Sequence, residues 1–133
     1  VRCWGYNGYG ELGDGTTTST LNPVSVSGVS GAVELDGGYY HRCARFAGGT
    51  VRCWGYNGYG QLGNASFANS SVPVAVSGLT GATQISTGIY HNCAVRSDGT
   101  VWCWGYNVSG QLGDGTTTNR TTPRRSMVGR NRR

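Results

Sequence analysis

Short runs of alternating apolar and polar residues, separated by turn-forming residues, follow one another along the chain. Val33–Asp36 and Thr83–Ser86 are two such runs, and a glycine-containing turn follows each. Alternation with a period of two is typical of a β-strand with one buried face, whereas a helix repeats its apolar positions every three to four residues. Because no segment shows the helical spacing, we predict an all-β fold of short strands without helices.

Two pairs of strands are predicted to form hairpins. Tyr40–Phe46 and Val51–Gly55 flank the tripeptide Ala47-Gly48-Gly49, and the same arrangement recurs one unit later around Ser97-Asp98-Gly99. A three-residue loop that ends in Gly matches a type I turn closed by a residue in the left-handed conformation. Each pair should therefore be an antiparallel hairpin.

A further strand is predicted at Pro23–Val26 and again at Pro73–Val76. We expect proline at the start of a strand on the edge of the sheet, because it has no N–H to donate to a neighbouring strand. Long loops rich in Gly, Thr and Asn precede these strands, for example over residues 14–22. Each unit thus contains four short strands.

All of these features recur with a spacing of 50 residues. The segments VRCWGYNGYGELG, VRCWGYNGYGQLG and VWCWGYNVSGQLG begin at Val1, Val51 and Val101. Residues 1–50 and 51–100 align without a gap and are identical at more than half of their positions, which indicates tandem duplication. Four antiparallel strands in a unit of this length are typical of one blade of a β-propeller.

The repeated unit resembles the regulator of chromosome condensation repeat. The resemblance is carried by Trp54-Gly55-Tyr56-Asn57 followed by Gly60-Gln61-Leu62-Gly63, by the same residues within 104–113, and by the His-x-Cys-Ala segments that begin at His41 and His91. It extends over residues 1–123 and implies a seven-bladed β-propeller, of which this chain supplies about two blades plus a half blade. The paired cysteines depart from the eukaryotic pattern and resemble bacterial, exported versions of the repeat.

The repeats divide the chain into four predicted parts: the last two strands of one blade in residues 1–32, a complete blade in 33–82, a blade that lacks a normal fourth strand in 83–123, and an Arg-rich tail outside the repeat in 124–133. The last blade is expected to be incomplete because the residues after Pro123 do not resemble the Val-rich segments after Pro23 and Pro73. We interpret the chain as a piece of a longer propeller. Because it cannot close a ring by itself, we expect it to be marginally stable or to self-associate.

The predicted hairpin register sets Cys43 opposite Cys53 and Cys93 opposite Cys103. Directly opposite residues of an antiparallel pair have Cβ atoms about 4.5–5.5 Å apart, which is close to disulfide geometry. Two disulfides are therefore the favoured interpretation. Cys3 is expected to be unpaired because the corresponding partner would precede Val1.

Two other states of the cysteines stay open. Buried free thiols fit the same positions, and His41 with Cys43 and Cys53 could supply three ligands to zinc, a set that recurs at His91. Metal is the least favoured state, since there is no Cys-x-x-Cys pair and no evident fourth ligand. We predict no metal site. Paired cysteines also favour an oxidising setting, so we expect an extracellular or cell-surface location.

Charge is concentrated at one end of the chain. All 11 basic residues are Arg, and six of them lie near the C-terminus, at positions 120, 124, 125, 130, 132 and 133. Residues 1–119 carry five Arg and six acidic residues, so the repeats are nearly neutral. Nucleic-acid binding is expected at most as a weak, salt-sensitive contribution of the tail. No apolar stretch approaches the roughly 20 residues of a membrane span, so we expect no membrane insertion.

The aromatic and histidine residues are interpreted as structural. The 4 Trp and 8 Tyr supply large surfaces for burial, and Trp4, Trp54 and Trp104 are expected to pack between blades. His41 and His91 repeat with the unit, but no Ser or Asp recurs at an offset suited to a catalytic triad. A histidine fixed in a repeat is expected to be a buried, hydrogen-bonded residue. We predict no catalytic site and no cofactor.

Function is expected to lie in the loops that vary between units. Residues 14–22, 64–72 and 114–122 differ while the strand positions are held, as in a surface that diversifies to bind a ligand. Phe67 is the aromatic residue in these loops and the candidate partner contact, although it could instead fold back onto its own blade.

The sequence therefore predicts a non-catalytic protein-binding module of a larger exported or cell-surface bacterial repeat protein. The resemblance implies one alternative, guanine nucleotide exchange on a small GTPase, which is the activity of the family's namesake.

Overall fold

The computed structural model describes residues 1–127, which form ten β-strands and no helix. Within this range there is accordingly no helical segment that could span a membrane. The strands are β1 Arg2–Gly5, β2 Thr20–Ser25, β3 Ala32–Gly37, β4 His41–Phe46, β5 Val51–Gly55, β6 Ser70–Ala75, β7 Ala82–Thr87, β8 His91–Arg96, β9 Val101–Gly105 and β10 Arg120–Arg125.

The strands form three antiparallel sheets, each made from consecutive strands. β1 and β2 pair as a two-stranded sheet, which we call the half blade. β3-β4-β5-β6 form the first full blade and β7-β8-β9-β10 the second. The prediction of an all-β fold without helices, made of four-stranded propeller blades, about two of them plus a half blade, is confirmed.

Glycine closes the β4–β5 hairpin in the predicted way. The amide of Gly49 donates to the carbonyl of Phe46 at 2.9 Å, and the amide of Phe46 donates to the carbonyl of Thr50 at 3.0 Å. Gly49 has φ +89°, a left-handed conformation that glycine adopts without strain. The β8–β9 hairpin repeats this turn with Gly99 at φ +83°.

The proline of each unit lies inside the outer strand, not at its start as expected. In β6 the strand begins at Ser70, and Pro73 is its fourth residue. β6 is an edge strand, and its register with β5 shifts between Cys53 and Gly55. Because the pairing is irregular here, Pro73 is not required to donate a ladder hydrogen bond, for which it has no N–H. The strand therefore continues through Pro73.

The expectation that the last blade lacks a normal fourth strand is wrong. β10 pairs with β9, with Arg124 opposite Cys103 and Arg125 opposite Trp102. An edge strand is held by its backbone, so side chains that face solvent need not be apolar, and both arginines are exposed. Residues 124 and 125 thus belong to the blade, whereas the rest of the predicted tail from residue 128 lies outside the described residues.

The core lies between neighbouring blades. Trp54 and Trp104 are completely buried, and Trp104 packs in one cluster with residues of both full blades, among them Leu62 and Ile85. The expectation that all three repeated tryptophans pack between blades is wrong for Trp4, which is 63% exposed. Within the described residues no sheet precedes the half blade, so no surface covers this indole.

Side-chain carboxylates join the first strands of the two full blades. The carboxylate of Glu34 accepts a hydrogen bond from the amide of Ile85, and that of Asp36 accepts one from the amide of Thr87, both at 3.1 Å. These bonds connect β3 to β7. Together with the shared core they hold the two blades in one fixed arrangement.

Candidate functional site: a surface of tyrosines

All eight tyrosines of the chain belong to one continuous network of ring contacts. Neighbouring ring centroids are 4.6–6.5 Å apart, and the ring planes meet at 55–76°. Edge-to-face and tilted contacts of this kind are favourable for aromatic pairs. We call this set the tyrosine surface; its members are Tyr6, Tyr9, Tyr39, Tyr40, Tyr56, Tyr59, Tyr90 and Tyr106.

Strand ends bring the rings of one blade together. Tyr40 immediately precedes β4 and Tyr56 immediately follows β5, and the amide of Tyr56 donates to the carbonyl of Tyr40 at 2.8 Å. Gly55, the last residue of β5, has φ +107°, and a Cβ there would collide with that same carbonyl oxygen. Glycine at this position is therefore required for the two tyrosines to lie side by side.

A second glycine makes room for the ring itself. The phenol of Tyr56 lies over Gly58, where a Cβ would overlap the ring and its hydroxyl oxygen. Tyr6 lies over Gly8 in the same way. The third unit has Val108 at this position, so the same ring placement is not available there.

A buried asparagine holds the turn that carries Tyr59. Asn57 is fully buried, and its side-chain carbonyl accepts from the amide of Leu62 at 2.8 Å. Its side-chain amide donates to the carbonyls of Ser66 and Ala68 at 2.8 and 2.9 Å. One side chain thus fixes the loop of residues 57–68, and Asn7 and Asn107 repeat the arrangement.

Each of these turns reaches the next blade. Tyr9 lies 5.1 Å from Tyr40 and 4.8 Å from Tyr56, and one unit later Tyr59 lies 5.1 Å from Tyr90 and 4.6 Å from Tyr106. The tyrosine surface therefore crosses both contacts between blades. The third unit has Ser109 where this tyrosine would stand, so the repeat of the cluster stops there.

The surface is open to solvent and its hydroxyl groups are available. Tyr6 and Tyr39 are 59% and 63% exposed, and the other six rings are partly buried. Within residues 1–127 none of the eight phenol hydroxyls forms a hydrogen bond with another group. Burial raises the pKa of Tyr56 above its ordinary value, and the phenols of Tyr59 and Tyr9 add to the shift. The Tyr56 hydroxyl is therefore a neutral donor at physiological pH.

At the end of the second full blade the surface borders a hollow. Ile89, Tyr90, His91, Tyr106 and Gln111 line a space of about 390 Å³. His91 is partly buried and its pKa is lowered by that burial. The hollow contains two rings of the tyrosine surface and no ionised side chain.

His41 is a structural residue, as its position in the repeat suggested. The side chain is fully buried, and its Nε2 lies 2.8 Å from the side-chain oxygen of Asn92 in the next blade. The side-chain amide of Asn92 in turn donates to the carbonyl of Gln61 at 2.6 Å. Burial lowers the pKa of His41 to about 4, so the ring is neutral at pH 7 and its role is to connect the blades.

Four of the five cysteines lie opposite one another in the two hairpins. Cys43 is opposite Cys53 and Cys93 is opposite Cys103, with Cα–Cα distances of 4.1 Å, and each pair is joined as a disulfide. Cys3 is a free, partly buried thiol, and burial raises its pKa. Within residues 1–127 no three His, Cys, Asp or Glu side chains converge as metal ligands would.

Phe67 is 59% exposed in the β5–β6 connection and makes no ring contact with any aromatic residue in the described part of the chain. From the sequence, Phe67 was the candidate partner contact, and the tyrosines were expected only to supply large surfaces for burial. The tyrosine signal was present in the repeated Tyr-Asn-Gly-Tyr segments at 6–9 and 56–59, but their spacing alone does not say which way the rings point.

A family model for the regulator of chromosome condensation (RCC1) repeat matches residues 2–45, 48–95 and 98–133, and a second model for the same repeat matches residues 32–61 and 82–111. The chain belongs to the RCC1 repeat family. The predicted resemblance is thus confirmed, and a piece of a propeller is consistent with the fold. No curated protein sequence matches the chain.

Solved RCC1-type propellers have the same architecture. Human WBSCR16 is 27% identical with a TM-score of 0.74, over 92% of this chain and 33% of that protein. Yeast Prp20, solved in a study of its binding to Gsp1p and histones, is 22% identical with a TM-score of 0.77, over 93% and 33%. Yeast RCC1 (Prp20) bound to Kap60 is 16% identical with a TM-score of 0.82, over 98% and 33%. The chain therefore spans about a third of each of these proteins, and the yeast structures support the fold alone.

Proposed function

We propose that this chain is a non-catalytic protein-binding module and that the tyrosine surface is its contact site. The observation that carries the proposal is the continuous array of eight tyrosines whose hydroxyls are unused within the described residues. Tyrosine is enriched at protein interfaces because one side chain offers a large apolar face and a hydrogen-bonding group at little entropic cost. Such residues are also the ones that most often dominate binding energy.

The setting we propose is an exported or cell-surface bacterial repeat protein. Two disulfides in adjacent hairpins support an oxidising compartment, where such bonds form and persist. Phe67 remains a second proposed contact, because the β5–β6 connection leaves the blade at the same end as Tyr56. We also propose that the isolated chain self-associates, because Trp4 is exposed at one end of the row of blades.

The test is affinity capture from the extracellular and surface fractions of the source organism, with the captured proteins identified by mass spectrometry. We expect a specific protein to be retained by the wild-type chain and lost with the double variant Tyr6→Ala/Tyr39→Ala. Val33→Ala is the control, since Val33 is also an exposed apolar residue, at 55%, and lies in β3 outside the tyrosine surface. Equal capture by the wild type and the double variant would contradict the proposal.

Nucleotide exchange is the alternative that the family makes relevant, and it requires a separate assay. The wild-type chain should not accelerate release of a fluorescent GDP analogue from Gsp1p, the protein whose binding to the yeast relative was studied. Acceleration of release that depends on added chain would replace the binding-only function with the exchange function.

A further inference from the structure

We propose that the segment which binds the tyrosine surface is a proline-rich stretch in the polyproline II conformation; this inference rests on the proposed function above. Neighbouring rings meet at 55–76°, so the surface consists of ridges and crevices and not of a flat platform. Extended proline-rich segments dock onto grooves lined by aromatic side chains, where the pyrrolidine rings fit between the aromatic faces. The ring geometry favours this ligand over a sugar, which stacks on a flat, open ring face.

The unused hydroxyl groups fit the same ligand. A polyproline II segment has no internal hydrogen bonds, so its carbonyl oxygens are free to accept bonds from a partner. The tyrosine surface offers phenol hydroxyls that bond to nothing else within residues 1–127. Because proline has no N–H, such a ligand needs donors from its partner and supplies few itself. The eight phenol hydroxyls do not donate to a backbone carbonyl of this chain within residues 1–127, so they can supply these donors.

Charge also selects a neutral ligand. The ring network contains tyrosine alone, and the nearest carboxylate that acts on Tyr6 is that of Glu11, which is 1% exposed beneath the turn and accepts from the amide of Tyr9 at 2.7 Å. The guanidinium of Arg42 lies beside Tyr39 and Tyr40, where it donates to the backbone carbonyls of Gly38 and His41 at 3.0 and 2.8 Å. The rings themselves carry no charge that would select an acidic or a basic peptide, and the one guanidinium named here is already bonded to backbone carbonyls, whereas a proline-rich segment needs no counter-charge.

The surface is repeated, which suits a repeated ligand. The cluster of Tyr9, Tyr40 and Tyr56 recurs as Tyr59, Tyr90 and Tyr106, with matching ring distances. A segment with prolines at regular intervals can occupy both clusters at once. The second contact is then made at a high effective concentration, so a longer segment should bind more tightly than a short one.

The test is fluorescence anisotropy with a labelled decaproline peptide and the 133-residue chain. We expect saturable binding, no binding of a Gly-Ser decapeptide, and binding of a pentaproline at least about fivefold weaker than that of decaproline. Tyr6→Ala/Tyr39→Ala should weaken decaproline binding at least about tenfold, while Val33→Ala leaves it unchanged. Tyr39→Phe, which keeps the ring and removes one hydroxyl, should weaken it about two- to fivefold. Near-ultraviolet circular dichroism checks that each variant keeps the wild-type fold.

Absence of decaproline binding, or binding that the double variant leaves unchanged, would overturn the inference. Tyrosine-dependent binding of cellohexaose in place of decaproline would also overturn it and assign the surface to carbohydrate. If the double variant abolishes capture of a protein but decaproline does not bind, the proposed function stands and the ligand class is wrong. If decaproline binds and no protein is captured, the ligand class stands and the proposed function fails.

Discussion

The indole nitrogen of Trp54 donates a hydrogen bond to the carbonyl oxygen of Glu11 at 2.7 Å, and so connects the first full blade to the half blade. Gly13 lies against the same indole, where any Cβ would be too close to its ring. Trp104 makes the equivalent bond to Gln61 at 2.9 Å, beside Gly63. The repeated tryptophan of one blade is thus fitted to the repeated turn of the preceding one.

Trp54→Phe should lower the free energy of unfolding by about 2–4 kcal/mol, because it leaves a cavity and a buried carbonyl without its donor. The measurement is urea denaturation. Trp4→Phe is the matched control, since the same residue type is 63% exposed there, and it should change stability by less than about 0.5 kcal/mol. Equal losses for the two variants would show that the contact between blades does not decide stability.

Acid should weaken the chain through His41. Its pKa is about 4 in the folded chain, below the ordinary 6.5, so the unfolded chain binds the proton more readily. The stabilisation is complete above pH 6.5 and is lost as pH falls from 6.5 to 4, by about 3 kcal/mol in total. Urea denaturation at several pH values measures this.

His41→Gln has no titrating group at this position, so it should be less stable at pH 7 and lose the steep dependence between pH 6.5 and 4. His91→Gln is the comparison, because His91 is only partly buried and should contribute a smaller dependence. A wild-type chain of constant stability over this range would contradict the role given to His41.

The two disulfides should each stabilise the chain by about 2–3 kcal/mol, because each closes a short loop of the unfolded state. Cys43→Ala/Cys53→Ala should lower the urea midpoint accordingly. Non-reducing peptide mapping should recover the Cys43–Cys53 and Cys93–Cys103 links, with Cys3 free or in a dimer. Three or more free thiols under oxidising conditions, or stoichiometric zinc, would refute this assignment.

Gly58→Val should displace the ring of Tyr56 and weaken decaproline binding, with little effect on stability. The clash is with the far end of a partly exposed side chain, which can move, and the equivalent turn already contains Val108. Two-dimensional NMR of the tyrosine ring protons measures the displacement. The reverse change, Val108→Gly, should leave the rings of the first full blade unmoved; a large loss of stability in Gly58→Val would mean that the turn itself requires glycine.

The isolated chain should self-associate in a concentration-dependent manner. Trp4 is exposed at one end of the row of blades, and the hollow that includes Gln111 is open at the other end. Within the chain, Trp54 donates to the carbonyl of Glu11. Trp4 of one copy can make the equivalent contact with Gln111 of a second copy. Sedimentation velocity at several concentrations measures this, and Trp4→Ala should reduce it. A monomer at all concentrations with a sharp thermal transition would show the expectation to be wrong.

The repeat and its turns allowed most of the fold to be predicted from sequence. The hairpin closed at Gly49 fixes the register, and the register alone places Cys43 opposite Cys53. The strand at Arg120–Arg125 was missed because an edge strand is selected by backbone pairing, and its side chains carry little signal. The exposure of Trp4 depends on whether a neighbouring blade is present, which local sequence does not encode.

The tyrosine surface could not be predicted for a different reason. Tyrosine is amphipathic and fits both a core and an exposed surface, so its periodic recurrence is compatible with either. The ring positions are decided by Gly55 and Gly58, which clear space, and by Asn57, which shapes the loop. Only the combined backbone of two blades shows that the rings converge.

Tyr59 belongs to one blade, and the two rings that it contacts, Tyr90 and Tyr106, belong to the next blade. A ligand that binds across these three rings would therefore hold the two blades together. Separation of the blades would then require release of the ligand first. Occupancy should therefore raise the melting temperature in proportion to the logarithm of ligand concentration. The thermal stability of the paired blades would then depend partly on the ligand that is bound to them.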